Sequence, residues 1–234
     1  MIKIRKSEER GHANHGWLDS HHTFSFASYH DPKHMGFRSL RVINEDRVAP
    51  GRGFGAHGHR DMEILSYVLE GSLGHKDSMG HEEILGPNEI QKMSAGTGVV
   101  HSEFNASKTD PVHFMQIWIE PATTGTPSSY QQLAFSAEEK AGKWKLLAGP
   151  QGGEGVARIN QDASLFVSEL SNAERISYKL DPTRYAWLHL VKGQVTVNGT
   201  ALQAGDAAAI SKEEELAIVN QGAEPSEVLL FDLA

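Results

Sequence analysis

Two short segments hold the residues whose types and spacing could do chemistry. One is Phe54-Gly-Ala-His57-Gly-His59-Arg-Asp-Met-Glu63, and the other is Ala95-Gly-Thr-Gly-Val-Val-His101-Ser-Glu103-Phe-Asn105. In each, donor residues stand two apart. Side chains alternate faces along an extended strand, so His57 and His59 share a face, as do His101 and Glu103. Three imidazoles and one carboxylate aimed at one point make a mixed nitrogen and oxygen site for a divalent transition metal. A lone His-x-His pair in a chain with 13 histidines carries the weight of coincidence. Two pairs, each beside a Gly-rich turn and an apolar strand, carry more. They lie far apart in sequence, so only a closed β fold brings them together.

The surrounding chain supplies such a fold. From Phe37 the pattern turns β: Arg38-Ser-Leu-Arg-Val-Ile-Asn alternates, Glu45-Asp46 and Pro50-Gly51 read as turns, and Ile64–Glu70 reads as a strand ending at Gly71. A hairpin is expected around Asp77-Ser-Met-Gly80, and Gly86-Pro87-Asn88-Glu89 is a turn in which Pro fixes φ and Asn tolerates a left-handed backbone. Strands at Glu89–Met93 and Val112–Ile119 flank the second ligand segment. Short strands broken by turns about every eight to twelve residues mean a sandwich or barrel. Pro121 to Ser129, rich in Thr, Gly, Pro and Ser, is the linker candidate. Ser136-Ala-Glu-Glu-Lys has the character of a helix start and Gly142 stops it. The expected division is residues 1–130, carrying the metal, and 131–234.

The later block, from Trp144 to Leu233, reads as a worn repeat of the first. Leu188-His-Leu-Val-Lys-Gly193 parallels Tyr67-Val-Leu-Glu-Gly71, and Leu202-Gln-Ala-Gly205-Asp206 parallels the Gly86–Glu89 turn. The steps from Gly71 back to His57, His59 and Glu63, taken from Gly193, land on Lys179, Asp181 and Tyr185. The step from Glu89 to His101, taken from Asp206, lands on Ile218. No ligand set survives, so the second domain is expected to be metal-free. His189, in an apolar strand, reads as a core histidine.

Composition closes several classes. The chain has 234 residues, enough for one large or two small cores. With no cysteine there is no disulfide, thiolate ligand or Cys nucleophile. A net charge of −8 gives a poor start for gripping nucleic acid or an anionic membrane, so neither is expected as a partner. Met1–Arg10 is charged and lacks the apolar core of a secretory signal, and no apolar run reaches membrane-spanning length, so a cytoplasmic location is expected. His12, His15, His21, His22, His30 and His34 crowd the first 35 residues. A His-rich tract can bind metal, yet their irregular spacing reads as loop or surface.

His57-x-His59-x3-Glu63 followed by His101-x3-Asn105 resembles the two cupin motifs, and the fuller resemblance is to the pirin family, in particular its bacterial quercetin 2,3-dioxygenases. It runs from Arg10-Gly-His-Ala-Asn-His-Gly-Trp-Leu-Asp-Ser through His22-Thr-Phe-Ser-Phe26, Gly71, Asp77-Ser-Met-Gly80 and Ala95-Gly96 to Gln116-Ile-Trp-Ile119. His21 departs from it, standing where related sequences tend to have Trp. Gly71 falls one residue later, and His101 two residues later, than in the generic cupin motif, and both shifts fit the pirin subgroup. The resemblance implies an all-β bicupin: two antiparallel, jelly-roll-type β-barrels with few short helices. It also implies that the ligands are His57, His59, His101 and Glu103. Glu63, at the generic carboxylate spacing and on the histidine face if no bulge intervenes, becomes an outer carboxylate that orients a histidine.

Four protein ligands on a six-coordinate ion leave two positions open for a bidentate substrate, or for substrate and O₂. Fe(II) is the first expectation for the single metal, with Mn, Ni, Co, Cu or Zn also compatible with such donors. The implied reaction is opening of the heterocyclic ring of a flavonol such as quercetin by O₂, with release of carbon monoxide. Glu103 is the expected proton acceptor and Gln116 a substrate or water contact. Phe24, Phe26, Met35 and Phe37 read as core residues that could also wall an aromatic pocket. The alternative implied by the resemblance is a metal-bearing regulatory protein that acts through protein partners without turnover of its own.

Overall fold

The computed structural model describes residues 1–234 and is built almost entirely of strands, with a single four-residue α-helix, α1 (Ala137–Lys140). The strands of the first half are β1 (Ile2–Arg5), β2 (Gly11–Asn14), β3 (Leu18–His22), β4 (Leu40–Val48), β5 (Gly53–His59) and β6 (Glu63–Glu70). They continue as β7 (Leu73–Asp77), β8 (Glu82–Leu85), β9 (Glu89–Ser94), β10 (Val99–Asn105), β11 (Val112–Ile119) and β12 (Ser129–Ala134). After α1 come β13 (Lys145–Gly149), β14 (Ala157–Arg158), β15 (Ala163–Leu170), β16 (Arg175–Lys179) and β17 (Tyr185–Lys192). The chain ends with β18 (Gln194–Val197), β19 (Thr200–Gln203), β20 (Ala207–Ser211), β21 (Glu215–Asn220) and β22 (Ser226–Leu233).

Two compact units form. The N-terminal unit comprises Gly11–Phe135 with Gln151–Gln161, and the C-terminal unit comprises Met1–Arg10, Ser136–Pro150 and Asp162–Ala234. The opening strand thus belongs to the C-terminal unit, because β1 pairs with β20. Pro121–Ser129, the linker candidate, is fastened within the N-terminal unit: Thr97 N donates to Thr126 O at 2.9 Å and Ser128 Oγ to Ala95 O at 2.8 Å. Ser136 does cap α1, its backbone N–H donating to Glu139 in a capping box.

In the N-terminal unit one sheet runs β12-β9-β6-β11-β4-β3-β2 and the other β5-β10-β7-β8. Leu18, Val68 and Phe114 of the first pack with Leu73 and Leu85 of the second, so the sheets face each other over an apolar core. The expected turn at Glu45-Asp46 does not form. β4 runs straight through it, since neighbouring strands supply polar partners: Ser20 Oγ donates to Asp46, and Glu45 accepts from His113 at 3.0 Å.

The C-terminal unit repeats this plan. Its sheets run β1-β20-β17-β22-β15-β13 and β16-β21-β18-β19, so the core order β9-β6-β11-β4 recurs as β20-β17-β22-β15. Gly71 and Gly193, equated from the sequence, end β6 and β17 with φ of +81° and +87°. Each also lies where a Cβ would collide with the neighbouring strand, at 2.6 Å from Pro111 O and 2.1 Å from Ser226 Oγ.

Candidate metal centre

β10 is the strand that positions the site. Val99, His101, Glu103 and Asn105 are buried, while Val100 and Phe104 face out, as the two-residue spacing requires. β5 lies antiparallel beside it, placing His57 opposite His101 and His59 opposite Val99. The register then slips, and Glu103 comes opposite Phe54. Gly53 lets the strands close here, since a Cβ would stand 2.3 Å from Glu103 O.

This pairing gathers His57, His59 and His101 with donor atoms all within 4.8 Å of one another. His57 Nε2 and His101 Nε2 are 3.1 Å apart. His57 Nδ1 lies 2.8 Å from Gly55 O, so it donates there and leaves Nε2 as a lone pair facing the cluster. Burial, then the neighbouring His57, pushes His59 down to about 4. Burial with His57 and His59 beside it pushes His101 down to about 3. His59 and His101 are therefore neutral at physiological pH, the state in which imidazole binds metal.

Glu103 is fully buried. Ser66 Oγ donates to its Oε1 at 3.1 Å and Gln116 Nε2 to its Oε2 at 2.6 Å. Burial pushes its carboxyl up to about 7, against the pull of those two hydrogen bonds. It stands outside the close histidine triad but lines the same cavity, of about 350 Å³, as His57, His59 and Gln116. Three imidazole nitrogens gathered at one point, with one ionisable carboxyl in the wall beside them, fit a divalent transition metal.

Glu63 goes elsewhere. β5 and β6 lie in different sheets, broken by Arg60–Met62, so strand parity does not carry from His59 to Glu63. Its carboxylate accepts from Ser94 Oγ at 2.7 Å, and Lys92 Nζ donates to the same Ser94 at 2.9 Å. Of the four candidate pocket walls, Phe26 lines the cavity, Phe24 is core, Met35 is exposed, and the half-buried Phe37 lies outside the cavity lining. The other aromatic walls are Trp17, Phe54 and Trp118, with the Trp118 ring 5.0 Å from His59.

Several residues of the site escape a reading of the sequence. Ser20, Asn44 and Asp46 also line the cavity, and strand parity with Leu18, Val42 and Val48 was the available signal. Behind His101 stands the buried His75, ring centroids 5.4 Å apart. Gln91 Nε2 is 3.2 Å from His75 Nδ1 and His75 Nε2 is 3.1 Å from Asp77, which fixes the ring with Nε2 protonated.

Residues 3–119 match the pirin family, and residues 146–233 match the quercetinase C-terminal cupin domain. The chain is 48% identical over 233 residues to quercetin 2,3-dioxygenase of Escherichia coli K12, the match covering 100% of this chain and 99% of that one. The chain belongs to the pirin family. Among solved structures, Escherichia coli YhhW superposes with a TM-score of 0.95 at 47% identity, covering 100% of this chain and 98% of the other. The same bacterial pirin in complex with nickel(II) gives a TM-score of 0.93 at 47% identity, over 100% and 99% of the two chains. This pirin thus has two cupin-type units, and the histidine cluster of the first has donors suited to a divalent metal. No helix is long and apolar enough to cross a membrane.

The second unit can be aligned on a shared side-chain clamp. Asn105 Nδ2 donates to Val48 O and Asp110 O, and its Oδ1 accepts from Ser107 N. Asn220 repeats this with Leu170 O, Glu224 O and Gly222 N. Counted from the clamp, Leu216 and Ile218 stand where His101 and Glu103 stand. Tyr178 pairs with Leu216 as His57 pairs with His101. The equivalents Lys179 and Ile218 expected for His57 and His101 are displaced by one and two residues, because the connecting turns differ in length. The aligned positions hold apolar and aromatic side chains packed in the core.

Proposed function

We propose that this pirin is a metal-dependent dioxygenase that opens the heterocyclic ring of a flavonol such as quercetin with O₂ and releases carbon monoxide. The observation that carries the reading is the meeting of His57, His59 and Glu103 in the wall of one aromatic-lined cavity. Its size, about 350 Å³, falls within the roughly 300–1,000 Å³ of small-molecule sites. The name of the 48% identical relative supports the same substrate class.

His57, His59, His101 and Glu103 would hold the ion, with Fe(II) the first candidate. When bound, such an ion supplies Lewis acidity that lowers the pKa of a phenol-type hydroxyl. Trp17, Phe54 and Trp118 offer flat apolar faces to a planar ring and exclude water from it. In this reading Glu103 takes the proton of the flavonol 3-hydroxyl. Gln116 and Ser66 each hold one of its oxygens, which fixes the carboxyl's orientation and leaves a lone pair on each oxygen.

The test uses fully metallated protein. A flavonol added without O₂ should shift its absorption band as the 3-hydroxyl ionises. Admitting O₂ should bleach that band with release of carbon monoxide. Glu103→Gln should lose at least a hundredfold in turnover. Absence of the spectral shift with every one of iron, manganese, nickel, cobalt and copper would sink the proposal.

A further inference from the structure

The β2–β3 hairpin has two working faces. Ala13, Leu18, Ser20 and His22 look into the cavity just described. The residues between them, His12, Asp19 and His21, take the opposite face. In the antiparallel register His12 stands directly across from His21, and Asn14 across from Asp19. Sequence spacing conceals this, since the turn between the strands scatters the three positions irregularly. Strand pairing brings their donor atoms within 4.8 Å of one another. His12 Nε2 lies 2.6 Å from Asp19 Oδ1, and the His12 and His21 rings stack with centroids 4.4 Å apart.

We propose that His12, Asp19 and His21 form a second divalent-metal site, of zinc type, on the outer face of this hairpin. Two imidazoles and a carboxylate are a recurrent donor set for zinc, with water in the fourth position. Donors bonded at about 2.0–2.2 Å around a tetrahedral ion stand about 3.4 Å apart. That value falls between the 2.6 Å contact and the 4.8 Å limit of the cluster, so small side-chain adjustments complete the site. His12 and Asp19 are 52% and 39% exposed, which gives an ion a direct path from solvent and the side chains room to adjust. On binding, the ion takes the place of the hydrogen bond between His12 and Asp19. Because β2 is the edge strand of its sheet, the ion ties that edge to β3 and firms one wall of the cavity. The site shares no residue with the His57, His59 and His101 centre and stands independently of the flavonol reading.

The test is zinc stoichiometry, by equilibrium dialysis and elemental analysis, on the full chain without an affinity tag. Wild type should bind two zinc ions. His12→Ala/His21→Ala should bind one, and His57→Ala/His101→Ala should bind one while zinc still raises its Tm. Should the latter variant fail to fold, the comparison of wild type with His12→Ala/His21→Ala decides alone. A wild type that saturates at one zinc, or a His12→Ala/His21→Ala variant that still binds two, overturns the proposal.

Discussion

Beside Ser20 in the cavity wall, the Asp46 carboxyl is 3% exposed and accepts that residue's hydroxyl. Burial, with Glu103, Glu45 and Asp19 nearby, pushes it from 3.8 up to about 7. A folded value above the unfolded one means that ionisation opposes folding. The penalty is absent below about pH 4, grows between 4 and 7, and is constant above. Asp46→Asn keeps an oxygen for Ser20 and removes the charge. It should stabilise the protein at pH 8 by on the order of 2–4 kcal/mol and give little or nothing at pH 4. Urea midpoints of both proteins at the two pH values check this, and an equal gain at both would remove ionisation as the cause. The contrast with His101 and Glu103 shows what a sequence reveals at this scale. Those two announce themselves by residue type and two-residue spacing. Asp46, inside Asn-Glu-Asp-Arg, resembles a turn until the serine on the next strand is in place.

At the level of strands, β10 was legible by its alternation, because it has one buried face and follows a clear turn, and β11 was legible as an apolar run buried along most of its length. What was not legible is where a strand changes sheet. β5 and β6 are separated by three residues, yet they join different sheets, and this removes Glu63 from the histidine face. Strand approach was equally hidden. Gly53 and Gly55 look alike in Arg-Gly-Phe-Gly-Ala, but a Cβ on Gly53 would collide with Glu103 O, while one on Gly55 meets nothing within 4 Å. Gly53→Ala must push β5 off β10, and with it His57 away from His101. Metal affinity should fall at least tenfold, with a loss of stability of about 1–3 kcal/mol. Gly55→Ala should leave both nearly unchanged. Parallel metal titrations and urea unfolding check the pair, and equal behaviour of the two variants would remove strand approach as the organising constraint.

Across the whole molecule, the internal repeat offers a comparison between a barrel with a histidine cluster and one whose aligned positions are apolar and aromatic. Repetition was legible from the Gly71 and Gly193 strands, but the exact equivalences were not, since turns of unequal length shift the count. The Asn105 and Asn220 clamps restore it and set His101 and Glu103 against Leu216 and Ile218. Both members of the first pair are buried polar groups whose charged forms are disfavoured, whereas Leu216 and Ile218 are fully buried among apolar neighbours. Buried polar groups kept for function cost stability relative to packed apolar ones. Transplanting the second pair onto the first, His101→Leu/Glu103→Ile, should therefore abolish metal binding at that centre and raise the Tm of metal-depleted protein by a few degrees. The reverse change, Leu216→His/Ile218→Glu, buries two polar groups without partners and should destabilise by about 3 kcal/mol or more. It should also gain no metal, because β16 presents Tyr178 where β5 presents His57. Calorimetry with metal analysis on both swaps decides the matter. A first swap that lowers stability would mean that His101 and Glu103 hold their barrel together even without metal.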